Sequence, residues 1–128
     1  MQIGNKSDYL KIEKCDPDDP YSAFIMEACI SDSRASFYGK NDAVMFSVDD
    51  TLKTRFSEFQ DFKCHDLNVI MTESCNLRLK RDHHGNISVN YRIGYWKFGS
   101  EIGLDGVVQV DGEWCQGFLA ELKKIIFS

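Results

Sequence analysis

The chain has 128 residues, of which 43% are hydrophobic and 27% charged, and its formal net charge is -5 at pH 7. These values are typical of one ordinary globular domain over residues 1–128, and no apolar run approaches the ~20 residues that a membrane-spanning helix needs. Phosphate binding depends on a basic surface, so the acidic balance and the scattered Lys and Arg residues argue against a nucleic-acid partner.

The cysteines and the N-terminus indicate a cellular compartment. The first six residues lack the apolar core of a secretory signal. The five cysteines are odd in number and irregularly spaced, which argues against a disulfide framework. We therefore expect reduced, structural thiols in a cytoplasmic protein.

The first half of the chain predicts strands followed by one helix. The strands are expected at 8–14, 22–30 and 34–39, and a short apolar segment follows at 43–46. The helix is expected at 50–62, because Leu52, Phe56 and Phe59 repeat at spacings of four and three. Either Ser47 or Asp49 can cap it.

The second half predicts a β-hairpin, a further strand and a helix. Apolar residues alternate on both sides of the turn at 82–86, which is a strong hairpin pattern. A short strand at 67–71 precedes the hairpin, and a strand at 101–110 follows it, where Gly103 and Gly106 indicate a bulge or a close approach of backbone. An amphipathic helix over 114–126 with Asp111 as its cap ends the pattern.

Together these elements predict an α+β fold. We expect an antiparallel, mostly meander sheet of about six strands with two helices packed on one face. The basic run at 78–81 is expected to lie on the solvated side of that sheet.

Motifs that carry chemistry are missing from the sequence. There is no Gly-rich phosphate loop and no Gly-x-Ser-x-Gly elbow. The possible zinc ligands lack the paired spacing of zinc sites, and prolines interrupt a calcium-like acidic loop at 16–20. The zinc candidates are Cys64, His65, Cys75, His83 and His84. We therefore expect no catalytic residue, no metal site and no cofactor.

One segment, 93–98, departs from simple alternation and leaves two interpretations open. Ile93 and Tyr95 continue the apolar face of the hairpin, whereas Trp96 and Phe98 fall on the other face. A bulge at Gly94 would reset the alternation. Alternatively, Trp96, Phe98 and Tyr38 form an aromatic patch for a protein partner or a second subunit.

From about residue 23 onward, the order of elements resembles that of the small bacterial immunity-type proteins of the WapI-like group. The segments that carry the resemblance are 35–39 (Ala-Ser-Phe-Tyr-Gly), 52–62, 75–79 (Cys-Asn-Leu-Arg-Leu), 82–86 (Asp-His-His-Gly-Asn), 104–110 and 114–126. The resemblance implies a protein that binds and neutralises a toxin without catalysing a reaction. It carries over no catalytic residue.

The sequence thus predicts a non-catalytic, cytoplasmic protein-binding module, such as an immunity or accessory factor of bacterial mobile gene content. Besides the aromatic patch, the predicted binding residues are the loop acids Asp16, Asp18, Asp19 and Asp32. An alternative is a small-molecule-binding protein or enzyme with a cleft between the sheet and the first helix. Its candidate groups are Tyr91, Tyr95, Arg92 and His65. A homodimer that covers Trp96 and Phe98 is a third alternative.

Overall fold

The computed structural model describes residues 1–45, 48–72 and 74–127. Its strands are β1 (Gln2–Gly4), β2 (Asp8–Lys14), β3 (Phe24–Ser31), β4 (Ser36–Val44), β5 (Asp66–Ile70), β6 (Asn76–Arg81), β7 (Ile87–Lys97) and β8 (Ser100–Val110). Its helices are α1 (Asp50–Gln60) and α2 (Cys115–Phe127), and a 3-10 turn, Gly112–Trp114, precedes α2. The Asp49 side chain caps α1 by accepting a hydrogen bond from Leu52 N, whereas Ser47 lies outside the described residues.

The strands form two separate antiparallel sheets of four strands each. Sheet 1 has the order β1-β2-β3-β4, and sheet 2 has the order β5-β6-β7-β8. The predicted single sheet of about six strands with two helices on one face is therefore wrong, although each sheet is an antiparallel meander. The molecule is mostly β and still combines antiparallel sheets with helices. The prediction failed because alternation shows that a strand has one apolar face, but it does not show which strands share a sheet.

The two sheets bury their apolar faces in one common core. In sheet 1 the buried side chains come from alternate positions, including Leu10, Ile12, Met26 and Ala28. In sheet 2 they include Leu67, Val69, Leu77, Leu79, Ile87 and Val89. Each sheet thus satisfies its period-two pattern by packing against the other sheet as well as against a helix.

The sheets approach each other closely at one end of this core. Strand β8 contacts β1, β2 and β4, so it runs across sheet 1. A Cβ atom at Gly39 would lie 3.1 Å from Leu104 Cδ2, and one at Gly106 would overlap the ring of Tyr91. The absence of side chains at Gly39 and Gly106 therefore permits the two sheets to approach each other closely. Of the two alternatives predicted from the glycines of β8, a bulge is not observed, because β7 pairs with β8 in unbroken register.

At the opposite end the helices fill the space between the sheets. Helix α2 starts beside β8, where the Cys115 thiol contacts the carbonyl of Val110 at 3.5 Å. The C-terminal end of α2 lies near the start of β3, where Ile126 and Phe24 line the same surface pocket. Phe127 of α2 packs edge-on against Phe56 of α1, with ring centroids 5.3 Å apart. Burial of this apolar face of α2 between the sheets is a main source of stability.

Candidate functional site

Four large apolar side chains are exposed together at the end of the β7–β8 hairpin. They are Tyr95, Trp96, Phe98 and Ile102, with exposed fractions of 54%, 53%, 95% and 58%. We call these four residues the hairpin end. Their strands pair in continuous register from Ile87 to Lys97, with Gly94 opposite Gly103. A bulge at Gly94 therefore does not reset the alternation, and the aromatic side chains lie on both faces of a regular hairpin.

The turn of this hairpin holds Phe98 in an unfavourable backbone conformation. Phe98 has a φ of 54° and Gly99 a φ of 75°, between the paired residues Lys97 and Ser100. Two-residue hairpin turns with two positive φ values favour Asn-Gly or Gly-Gly, and a bulky residue there is strained. The Phe98 ring contacts the Lys97 ammonium at 5.3 Å from its centroid. A strained and fully exposed phenylalanine adds nothing to the core.

The two faces of the hairpin end have different neighbours. On the outer face of sheet 2, Trp96 Nε1 donates a hydrogen bond of 3.2 Å to Ser74 Oγ. On the inner face, Tyr95 lies opposite Ile102. Both are exposed, and both line an open groove that faces β4 of sheet 1.

A groove of about 340 Å³ separates the inner face of the hairpin end from β4. Tyr95 and Ile102 line one side, and Phe37 and Lys40 line the other. The base of the groove is fixed by Asn41, whose Nδ2 donates a hydrogen bond of 2.9 Å to the Gly94 carbonyl. The groove is shallow, and its walls are mostly apolar.

Tyr38 borders this groove together with Tyr95 and Ile102, whereas Trp96 and Phe98, which the sequence grouped with Tyr38, are not among its lining residues. Its hydroxyl donates a hydrogen bond of 2.7 Å to Glu27 Oε1 on the outer face of sheet 1. This bond raises the pKa of Tyr38 to about 12 and lowers the pKa of Glu27. Tyr38, Trp96 and Phe98 therefore lie on the outer face of sheet 1, the outer face of sheet 2 and the hairpin turn, respectively.

The predicted acidic residues lie near opposite ends of β3 and mostly hold turns. Asp16 Oδ1 accepts a hydrogen bond from Asp18 N at 3.1 Å, and Asp19 Oδ1 accepts one from Tyr21 N at 2.9 Å. These residues precede β3, whereas Asp32 follows it. An eight-residue strand spans ~26 Å, so the four carboxylates do not form one acidic surface.

Asp32 orders the turn between β3 and β4. Its Oδ1 accepts hydrogen bonds from Arg34 N at 2.7 Å and Ala35 N at 3.0 Å. These backbone bonds lower the pKa of Asp32 because they stabilise the charged carboxylate.

The groups proposed for a small-molecule or catalytic cleft do not converge. Tyr91 points into the core, where burial raises the pKa of its hydroxyl. Arg92 lies on the opposite face and bonds Glu101 at 2.9 Å and Asp105 at 2.6 Å. His65 is exposed before β5, and Tyr95 belongs to the hairpin end. Alternation along β7 separates Tyr91 from Arg92, as it does for any two neighbours in a strand.

The sequence analysis missed Phe37 and Ile102 as lining residues of the groove. The available signal was the period-two alternation of β8, which places Ile102 on the same face as Leu104. For Phe37 no comparable signal existed, because its exposure depends on where sheet 2 ends.

Among residues 1–45, 48–72 and 74–127, no three His, Cys, Asp or Glu side chains are grouped to hold a metal ion. Within the same ranges, no helix has the length and apolar character required to cross a membrane. The chain matches no protein-family model, no curated protein and no solved structure.

Proposed function

We propose that this protein is a non-catalytic protein-binding module whose binding surface is the hairpin end. The observation that carries the proposal is Phe98, which is 95% exposed and sits in the left-handed region of backbone space. A residue that is strained and unburied destabilises the free protein. Such outliers cluster at binding and active sites, where a partner repays the strain.

The neighbours of Phe98 support the same conclusion. Trp96 and Tyr95 bring two further aromatic side chains within three residues, and aromatic anchors dominate the binding energy of protein interfaces. Full burial of one such side chain by a partner contributes about 1.5–3 kcal/mol.

The location and the kind of partner belong to the same proposal. The five cysteines, all within the described ranges, are free thiols, as expected for a cytoplasmic protein. The net charge of -5 favours association with a basic partner protein, with Asp16, Asp18, Asp19 and Asp32 as secondary contacts. The resemblance to the WapI-like immunity group would make that partner a toxin, and the protein an immunity or accessory factor of bacterial mobile gene content.

The test uses a substitution that separates binding from stability. Phe98→Asn places at the positive-φ position a residue that tolerates it, so the free energy of unfolding should rise by about 0.5–1 kcal/mol. The same change removes the aromatic anchor. Wild-type protein immobilised on resin should retain a protein from extracts of its source cells, and the variant should lose it.

The retained protein is then purified, and its affinity for each form is measured by titration calorimetry. Phe98→Asn and Trp96→Ser should each weaken binding by about tenfold or more. Trp114→Ser, which removes an aromatic side chain of 67% exposure from the 3-10 turn beyond the other end of the β7–β8 hairpin, is the matched control and should bind as the wild type does. Equal affinity of all four forms would refute the proposal, as would an extract without any specific partner.

A further inference from the structure

The outer face of sheet 2 carries three asparagines on three adjacent strands. Asn68 of β5, Asn76 of β6 and Asn90 of β7 each stand between two buried residues, so all three lie on this face. Asn68 and Asn90 both face Arg78, one from each side. Asparagine is depleted in strands, and none of the three side-chain amides has a hydrogen-bond partner among the described residues. Their side chains therefore do not help to hold the sheet together.

The three asparagines line a shallow surface pocket of about 470 Å³, which we call the amide pocket. Asn76 and Asn90 are half-buried on the two central strands, and Asn68 borders the pocket from β5. Asp105 and Val107 border it from β8. Neighbouring strands are ~4.8 Å apart, so the backbones of β5 and β8 lie only ~14 Å from each other. One small ligand can therefore contact several of these side chains at once.

The charges around the amide pocket cancel. Among the described strand residues, the outer face of sheet 2 carries three cations and three carboxylates, namely Arg78, Lys80, Arg92, Asp66, Glu101 and Asp105. Arg78 pairs with Asp66 at 2.5 Å, and Arg92 pairs with the other two acids. A face of balanced charge has no net attraction for phosphate or for a metal cation. The pocket therefore favours a neutral ligand.

Apolar side chains stand beside the amides on the same face. Val107 faces Asn90, and Ile70 faces Asn76. The exposed fractions of Val107 and Ile70 are 59% and 75%. Each of these amides thus lies one strand spacing from exposed apolar surface. A ligand that fits this pattern is polar at its edge and apolar on its face.

We propose that the amide pocket binds one ring of a neutral saccharide. An asparagine amide donates and accepts hydrogen bonds, and so does every hydroxyl group of a sugar, so one amide can bond two adjacent hydroxyls. Asn76 and Asn90 bond the hydroxyls at the edge of the ring. The C–H groups on the faces of the ring pack against Val107 and Ile70.

Trp96 extends this face beyond the amide pocket. Its indole bonds Ser74, and at most ~7 Å of chain separates Ser74 from Asn76. The face of an aromatic ring is negative and attracts C–H groups. A second sugar ring therefore stacks on Trp96 when the first ring occupies the pocket, and a disaccharide should bind more tightly than a monosaccharide.

The saccharide site goes beyond the proposed protein-binding function, and the two can be tested separately. Phe98 lies in the hairpin turn, whereas Asn90 lies in the middle of β7. Asn90→Ala should leave the affinity for the protein partner unchanged, and Phe98→Asn should leave saccharide binding unchanged. Either proposal can therefore fail while the other holds.

Nuclear magnetic resonance of the isotope-labelled full chain tests the site, because each asparagine side chain gives its own NH₂ signals. The chain is titrated separately with glucose, galactose, mannose, N-acetylglucosamine, maltose and lactose. At least one sugar should shift the side-chain signals of Asn76 and Asn90 in a saturable way, and a disaccharide should also shift the indole signal of Trp96. Sorbitol, which has no ring, and inorganic phosphate should shift none of them.

Two variants locate the binding. Asn90→Ala removes two hydrogen bonds to the sugar and should raise its dissociation constant by about tenfold or more, as followed by the Asn76 signals. Gln109→Ala is the matched control, because it removes an exposed amide from the same face outside the pocket, and its dissociation constant should equal that of the wild type.

Three results would overturn the proposal. The first is the absence of a saturable shift with any of the six sugars. The second is equal affinity of Asn90→Ala and the wild type for the sugar. The third is a saturable shift of the same signals by the neutral peptide tetra-alanine but by none of the sugars, which would assign the pocket to a peptide backbone instead.

Discussion

At the end of the core where the two sheets lie closest together, adding a side chain at Gly106 should destabilise the protein. This residue lies on β8 opposite Tyr91, and a Cβ atom there would overlap the Tyr91 hydroxyl and lie 2.9 Å from Ile30 Cδ1. Ile30 belongs to sheet 1, so an added methyl group would push on both sheets at once. Overpacking of this kind costs about 1–3 kcal/mol, and the lower entropy of the unfolded chain with alanine returns about 0.4–1 kcal/mol.

Gly106→Ala should therefore lower the free energy of unfolding by about 1–2 kcal/mol, which corresponds to a decrease in Tm of ~5 °C. Gly117→Ala is the matched control, because Gly117 lies within α2 and a Cβ atom there has no heavy atom within 4 Å. Alanine is the better helix former, so this variant should gain about 0.5–1 kcal/mol. Urea denaturation followed by circular dichroism measures both. Shifts of the two variants in the same direction would refute the close approach of the sheets at Gly106.

Three further predictions follow from buried and hydrogen-bonded groups. Tyr91→Phe should stabilise the protein by about 1 kcal/mol in urea denaturation, because the buried Tyr91 hydroxyl has no partner among the described atoms; a loss of stability would show that the hydroxyl is bonded. Leu122→Asp should lower the free energy of unfolding by ~3 kcal/mol or more, since Leu122 is fully buried and the new charge is unpaired, and an unchanged urea midpoint would contradict the packing of α2. Tyr38→Phe should lower stability at neutral pH, with a difference from the wild type that shrinks at both extremes. Because the pKa of Tyr38 is raised in the folded protein, the stability that the neutral Tyr38 hydroxyl contributes is complete below pH 10.0 and is lost as the pH rises through about 12. Because the pKa of Glu27 is lowered in the folded protein, the stability that the charged Glu27 carboxylate contributes is complete above pH 4.5 and is lost as the pH falls below that value. A difference between the two proteins that stays constant across the pH range would rule out the Tyr38–Glu27 bond as its source.

The elements that the sequence predicted well are those with strong periodicity. The hairpin of β6 and β7 and the helix α2 each carry five or more apolar residues at the right spacing, and each is close to its predicted bounds. Strand β1 was missed, because a segment of three residues with one apolar side chain, Ile3, has no period to detect. It exists because Ile3 packs against the core beside Leu10 of β2.

The number of sheets could not be read from the same pattern. The strands on both sides of α1 alternate in the same way, and alternation is equally satisfied by one sheet covered by helices or by two sheets facing each other. What decides between them is the contact of β8 with three strands of sheet 1. Those contacts depend on Gly39 and Gly106, where a Cβ atom would clash with side chains that are distant in the sequence. The sequence alone does not show which side chains lie against these glycines.

The candidate site was predictable only in part for a related reason. The sequence placed Trp96 and Phe98 on the face opposite Ile93; Trp96 lies on that face, whereas Phe98 lies in the hairpin turn, and both are exposed. Tyr95 shares the face of the buried residue Ile93, yet it is exposed because it borders the open groove between the hairpin end and β4. Alternation along a strand predicts which face of the sheet a side chain lies on. Whether that side chain is buried depends on the length and crossing angle of the strands in the other sheet, which alternation does not predict.

Arg81 shows how a strong pattern can override the chemistry of one side chain. The sequence analysis assigned it to a solvated face, and this prediction is wrong because Arg81 shares the inner face of β6 with Leu77 and Leu79 and is buried. Its Nη1 donates a hydrogen bond of 2.6 Å to the Phe59 carbonyl at the end of α1, and its guanidinium stacks on the Phe59 and Phe62 rings at 4.4 and 4.1 Å.

These contacts explain why burial of a cation is tolerated at this position. Helix α1 has no basic residue in its last turn, so Arg81 supplies from β6 the positive charge that a helix C-terminus favours. Burial nevertheless lowers the pKa of Arg81, and two of its nitrogens, Nε and Nη2, lack partners among the described atoms. Moving β6 by one residue would expose Arg81 but would also turn Leu77 and Leu79 out of the core. Exposing two leucines costs about 3–6 kcal/mol, more than the penalty of about 1–3 kcal/mol for an unsatisfied donor, so the register of β6 is set by the leucines and the arginine follows.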